Sequence, residues 1–292
     1  MTETLEQYMY RNHTDQTAKT YLYYIGVFTM KQPNAMRLMY ADIINYINEI
    51  KKVTKDVSKI SPHFAAVKRY YDYLLETGKR NDHPCKSIRL KRKKQPIQLQ
   101  DLFSPNELEL LMTRENRYKN LELRNKLIIS LMIYQALVSA ELCRLELKDI
   151  DLDNGTIYIK GSAKNASRTL ELRSNQVTLL INYINTYRNK LLKSNTDCLL
   201  ITHRGTGETV DGIQGMIDPL KGLFMDRNLT PSTIRQSVIS NMLNVYKQPL
   251  EAVQLFAGHK WTSSTEQYRR KDINEQLEKI NLWHPLNQTS NN

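Results

Sequence analysis

The segment Gly258-His259-Lys260-Trp261-Thr262-Ser263-Ser264-Thr265-Glu266-Gln267-Tyr268 sets a histidine nine residues ahead of a tyrosine. That pairing can serve phosphoryl transfer, with the tyrosine as nucleophile and the histidine beside the phosphate. A tyrosine hydroxyl has an unperturbed pKa of about 10, so at neutral pH it needs cations and hydrogen bonds aimed at the phosphate it attacks. The chain contains 17 tyrosines, and a tyrosine with a buried ring and a wet hydroxyl is ordinary. Spacing distinguishes Tyr268. Gly258 ends one helix, His259 opens the next turn, and Thr262 to Thr265 is a polar, cap-prone link to the segment carrying Tyr268.

This stretch resembles the C-terminal signature of the tyrosine recombinase and phage-type integrase family, in its two-domain Xer-like form. That signature reads roughly Leu-Gly-His, Thr-Thr and Tyr at this spacing, and Pro249 to Ala257 resembles the helix leading into it. The resemblance implies cleavage and rejoining of DNA through a 3′-phosphotyrosyl intermediate with a free 5′ hydroxyl, without metal or nucleotide cofactor. It makes Tyr268 the nucleophile and His259 a phosphate-binding or proton-handling partner. It also implies a double-stranded DNA recombination site as partner, a homotetramer on that DNA, and a cytoplasmic, nucleoid-associated location.

Other parts of the family pattern are kept or changed. Where the family has His-x-x-Arg, the chain has Ser232-Thr233-Ile234-Arg235. Arg235 is expected to hold a non-bridging phosphate oxygen by a charge-assisted bond. Ser232 shares its helix face and can donate a hydrogen bond but carries no positive charge. The family's Gly-Leu-Arg-x-Ser-Glu-Leu is met by Ala136-Leu137-Val138-Ser139-Ala140-Glu141-Leu142. Aligned on Glu141 and Leu142, Val138 stands where the first clamping arginine belongs, and losing such a donor costs about a hundredfold to a thousandfold in rate. Substitute cations are Arg168, Arg144 and Arg124, in that order. Arg144 lies six positions past Val138, about 240° around an ideal helix. The family also places a general-acid lysine on a hairpin turn to protonate the leaving 5′ oxygen; Lys164 fills that place here, with Lys160 as the alternative. The loop is one residue longer than the simplest family pattern.

The elements that must position these groups follow from apolar spacing. Helices are predicted over 14–30, 40–53 (Ile43, Ile44, Ile47 and Ile50 inward) and 61–76, with Pro62 in the first turn of the last and Gly78 closing it. They resemble the small core-binding domain of the family. Ser104-Pro105-Asn106-Glu107 is a capping box that opens a second domain. Residues 124–147 read as mostly helical, 156–159 and 168–172 as a hairpin after the Asp151 to Gly155 turn, 175–192 as a helix, and Thr230-Pro231 as the start of the Arg235 helix. The fold class is therefore mostly α with a small β-hairpin: an all-α DNA-binding domain (1–80), a basic linker (81–101), and an α+β catalytic domain (102–292). An amphipathic helix is expected over 272–283, exchanged between subunits in the family.

Charge fits that reading. The chain has 292 residues, enough for two cores, and carries 42 Lys and Arg against 30 Asp and Glu, a formal +12. A polyanionic partner is implied; a membrane is disfavoured, because no apolar run is long enough to span one and no signal-peptide pattern opens the chain. Lys86, Arg89, Lys91, Arg92, Lys93 and Lys94 crowd before Pro96, serving as a solvated linker that also crosses the DNA backbone, with Lys160 and Lys260 as further DNA contacts. Three scattered cysteines, Cys85, Cys143 and Cys198, offer neither a disulfide framework nor a metal site. Two functional readings follow: an active recombinase, or a DNA-binding accessory protein with weak or no catalysis. A basic RNA-binding or regulatory protein is a third, disfavoured because the resemblance runs through both domains in order.

Overall fold

The computed structural model describes residues 3–54, 57–90, 97–113, 121–193 and 196–270. They form two compact units, Met1–Gln95 and Pro96–Asn292. The fold is mostly helical, with one small three-stranded antiparallel sheet.

The first unit is a helical bundle of Leu5–Asn12 (α1), Asp15–Lys31 (α2), Tyr40–Val53 (α3) and Val57–Glu76 (α4). A Thr4–Gln7 capping box opens α1. The sequence reading had no helix there. In α3 the inward stripe is Ile43, Tyr46 and Ile47, with Ile44 and Ile50 only partly buried. The start of α4 also differs from expectation, because Val57 precedes Pro62 by more than a turn and places the proline inside the helix. One ladder hydrogen bond is lost there, and Phe64, Val67, Tyr71 and Leu74 carry the burial that offsets it. Gly78 follows with φ of +69°, the left-handed conformation that glycine adopts without strain. Cys85 and Ile88 belong to this unit's core, while Lys86 and Arg89 are exposed.

In the second unit, Pro105–Thr113 (α5) starts as its capping box requires, with the Ser104 N–H donating to Glu107 Oε2 at 2.8 Å. Glu122–Gln135 (α6) is buried almost all round and forms the centre of the larger core. It does not run on to Leu147 as expected. Ala136 turns left-handed (φ 51°), the chain extends through Val138, and a single turn, Ser139–Leu142 (α7), follows.

The sheet is Ile150–Asp151 (β1), Thr156–Ile159 (β2) and Arg168–Glu171 (β3), in that order. Its register pairs Ile157 with Leu170 and Ile159 with Arg168. Because strand side chains alternate between faces, Arg168 points inward with Ile157, Ile159 and Leu170, all buried. The expected helix at 175–192 is Ser174–Asn182 (α8), a π-helical stretch Tyr183–Arg188, and Asn189–Leu191 (α9). Val210–Ile217 (α10) is a helix that the sequence reading missed, capped by the Thr209 side chain. Pro231–Asn244 (α11) has the Thr230–Thr233 capping box, and Leu250–Ala257 (α12) ends at left-handed Gly258. The short Ser263–Glu266 (α13) precedes Tyr268. The helix expected over 272–283, and Lys91, Arg92, Lys93 and Lys94, lie outside the described residues.

Candidate active site

Within the second unit, the break after α6, the β2–β3 loop, the middle of α11 and the Gly258 turn converge on one carboxylate. Glu141 is 3% exposed. Arg168 grips it with both outer nitrogens, Nη1 to Oε1 at 2.9 Å and Nη2 to Oε2 at 3.0 Å. The Asn165 amide donates to Oε1 at 3.0 Å, the Val138 N–H donates to Oε2 at 3.1 Å, and Arg235 Nη1 stands 3.7 Å from Oε2. Burial alone would raise the pKa of Glu141, but the hydrogen bonds and charge of Arg168, the charge of Arg235 and the Val138 N–H hold it below the ordinary carboxylate range.

Arg235 is fixed by backbone on both sides. Nη1 donates to the Ala136 carbonyl at 2.5 Å and Nη2 to the Ala257 carbonyl at 2.6 Å. The left-handed turn at Ala136, uncommon for a residue with a Cβ, aims that carbonyl at the guanidinium. Desolvation lowers the pKa of Arg235, and Arg168 adds to the effect, against an opposing pull from Glu141 and Tyr268. A guanidinium keeps its charge in proteins even so.

Gly258 joins the α12 end to the hairpin. Its carbonyl accepts from the Ala166 N–H at 2.8 Å, and the next residue, His259, bridges to Asn165. A Cβ on Gly258 would lie 2.7 Å from Arg168 Nη1 and 2.9 Å from the Ala166 carbonyl. Only glycine combines the left-handed backbone with so close an approach. Lys260 extends the seam, its Nζ donating to the Ala163 carbonyl at 3.2 Å.

His259 pairs through Nδ1 with the buried Thr265 hydroxyl at 2.8 Å, and its ring lies nearly parallel to that of Tyr268, centroids 6.3 Å apart. Desolvation first, then the charges of Arg235 and Arg168, push the His259 pKa down to about 4. The imidazole is therefore neutral at pH 7. Tyr268 is 7% exposed, its ring packed with Ile239, Leu243, Val253 and Ala257. Burial raises its pKa, while Arg235 and a hydrogen bond with the Gln236 side chain oppose the rise.

The remaining predicted residues are spread around this centre. Lys164 is exposed at the tip of the β2–β3 loop, in a turn closed by Ser162, whose Oγ accepts from the Lys164 N–H at 3.2 Å. Lys160 is engaged elsewhere, 2.6 Å from Glu146 and 3.6 Å from Asp149. Ser232 is exposed in the first turn of α11. Of the substitute cations, only Arg168 reaches the Glu141–Arg235 centre. Arg124 is buried against Glu208 (2.9 Å) and Asn125, and Arg144 is exposed, its Nε on the Ala140 carbonyl. Sequence reasoning missed Asn165, Gln236 and the carbonyls of Ala136 and Ala257. Their roles depend on long-range placement; the polar residue Asn165 beside Lys164 was the one local signal.

A mostly helical two-unit chain with a Gly-His segment leading to a tyrosine, a buried arginine and a hairpin lysine defines a class, and comparison with known proteins agrees. The model of the phage integrase family matches residues 101–275, and the chain belongs to that family. It is 26% identical to the tyrosine recombinase XerD of Listeria innocua over 81% of this chain and 81% of that protein. It is also 26% identical to the tyrosine recombinase XerC of Anoxybacillus flavithermus, over 88% of each. Among solved structures it superposes on a XerH site-specific recombinase bound to a palindromic difH substrate, with a TM-score of 0.71, 18% identity and coverage of 94% and 81%. A lambda integrase dimer bound to a COC' core site gives 0.66 at 13% identity, covering 91% and 76%. Among the described residues, no helix is long and apolar enough to cross a membrane.

Proposed function

We propose that this protein is a site-specific DNA recombinase that breaks and rejoins duplex DNA through a 3′-phosphotyrosyl intermediate. The observation that carries the reading is the buried Arg235, held by two backbone carbonyls beside Glu141 and within electrostatic reach of Tyr268. A preorganised guanidinium in a dry site stabilises the charge that develops on a phosphate under attack. In the proposed step, the Tyr268 oxygen attacks the scissile phosphorus and the bond to the 5′ oxygen breaks. Lys164 delivers a proton to that oxygen. His259, neutral at pH 7, takes up the proton that the Tyr268 hydroxyl loses, and Ser232 adds a neutral donor to the phosphate. Arg168 supplies the second positive charge where Val138 cannot; burial first, and then the fields of Arg235 and Arg168, depress His259. Binding the partner, a duplex recombination site, falls to a homotetramer, with Lys86, Arg89, Lys160, Lys260 and the basic run at 91–94 as backbone contacts. The place of action is the cytoplasm, on the nucleoid.

The test uses a nicked duplex bearing the sequence that the full chain selects from random-sequence DNA. Native protein is expected to form a covalent adduct resistant to denaturant, and Tyr268→Phe to bind the same duplex and form none. Val138 favours a second reading, an accessory DNA-binding protein. Binding without any adduct by the native chain would establish it in place of the first.

A further inference from the structure

Asn244, the last residue of α11, reaches the segment that carries Tyr268. Its Nδ2 donates to the Tyr268 carbonyl at 2.8 Å, and the Arg270 N–H donates back to its Oδ1 at 2.8 Å. The same Nδ2 also donates to the Ser240 carbonyl and hydroxyl, both at 2.9 Å. One amide thus uses donor and acceptor together, pairing with residues 268 and 270 much as an adjacent strand would, while its contacts to Ser240 hold its plane against α11.

Local structure does little to fix the tyrosine by itself. α13 is a single turn ending at Glu266, and Tyr268 lies in the turn that follows. So short a helix has no stability of its own. The apolar cluster of Ile239, Leu243, Val253 and Ala257 holds the ring without direction, and the Gln236 side chain bonds the hydroxyl, but neither holds the Tyr268 main chain. Asn244 ties that main chain to α11. It lies nine residues beyond Arg235 on one helix, so the helix bearing the phosphate clamp also fastens the main chain at Tyr268 and again at Arg270.

We infer that Asn244 is a positioning residue for the nucleophile, pinning the backbone of Tyr268 to the helix that carries Arg235 so that hydroxyl and guanidinium keep one geometry. The inference rests on Tyr268 being the nucleophile. It touches neither phosphate nor reacting atoms, and it acts through the tyrosine's main chain.

Two variants of the full chain test it, Asn244→Ala and Asn244→Asp, on the same selected, nicked duplex. Asn244→Ala is expected to slow single-turnover adduct formation about 10- to 100-fold while duplex affinity stays within about twofold, because misplacement by an ångström is that costly to a near-attack geometry. Hydrogen exchange at the Arg270 amide should accelerate in the same variant. Asn244→Asp keeps the acceptor for Arg270 and loses the donor to Tyr268. It should retain the Arg270 protection and lose at least as much rate as Asn244→Ala, because a carboxylate oxygen then faces the Tyr268 and Ser240 carbonyls. An Asn244→Ala protein that forms adduct at the native rate overturns the inference, as does one whose rate drops only in step with its affinity or folded fraction. Should the native chain form no adduct, the nucleophile reading itself fails. Arg270 exchange then decides the tether alone: about tenfold faster exchange in Asn244→Ala upholds it, and equal exchange overturns it.

Discussion

Two guanidinium groups share one buried carboxylate at the centre of the site, and the imbalance of charge reaches His259. Glu141 satisfies Arg168 with a bidentate pair and sits only 3.7 Å from Arg235, so two positive charges face one negative. A phosphate entering this site would complete the neutralisation. His259 is lowered by its burial first and then by the charges of Arg235 and Arg168. Its pKa of about 4 in the folded chain lies below the ordinary value of 6.5, so the unfolded chain binds the extra proton between those values. Stability then rises with pH across that window: it is present above about 6.5 and is lost as pH falls toward 4. A half-buried ring supports an effect on the order of 2 kcal/mol. His63 in the first unit, lowered by burial and by Lys31, contributes in the same direction. Urea melts between pH 4 and 7 should therefore show a steep acid loss in the native chain, and His259→Gln should flatten it for the second unit. An unchanged slope in that variant would remove His259 as its source.

Packing between elements makes one glycine decisive. Gly258 ends α12 in the left-handed conformation and lets β3 come close enough for Arg168 to lie against its Cα. Gly258→Ala should cost about 1–2 kcal/mol from the backbone alone, and more from the overlap with Arg168 and the Ala166 carbonyl. The Arg168–Glu141 pair would also shift. Reduced urea midpoint together with slower adduct formation is the expected outcome; native behaviour in both would mean that the hairpin does not seat on this turn. Gly258 could be read in the sequence because a helix stop is a local signal, as are the Ser104 capping box, the Thr230-Pro231 helix start and the Asp151 to Gly155 turn. Features decided by distant partners were not legible. The helix break at Ala136 has neither glycine nor proline to announce it, and it is stabilised by Arg235, 99 residues away. Pro62 has the preference of a first-turn residue, but the turn of helix that starts at Val57 and precedes it has no such local mark. Val138 and Arg168 are 30 residues apart, so sequence could rank Arg168 as a substitute cation, but only the register of β2 and β3 turns it inward to Glu141.

At the scale of the whole molecule, the excess of 42 basic over 30 acidic residues should appear as salt dependence. Each phosphate neutralised by Lys or Arg releases counterions, giving a slope of about −0.9 per contact in a double-logarithmic plot of affinity against salt. Basic side chains do not contribute equally. Lys86 and Arg89 are exposed in the first unit, whereas Lys160 is already matched by Glu146 and Asp149. Neutralising Lys86 and Arg89 together to glutamine should make the slope shallower by about 1.8 while leaving sequence preference intact, because phosphate contacts carry no base information. Lys160→Gln should change the slope far less, since binding DNA with that lysine first requires breaking an ion pair within the protein. Affinity for the selected duplex, measured across a salt series for the native chain and these variants, separates the two cases. A slope that Lys160 controls and Lys86 with Arg89 do not would place the phosphate track on the hairpin face of the second unit alone, and would leave the charge at 86–89 as a solvated surface.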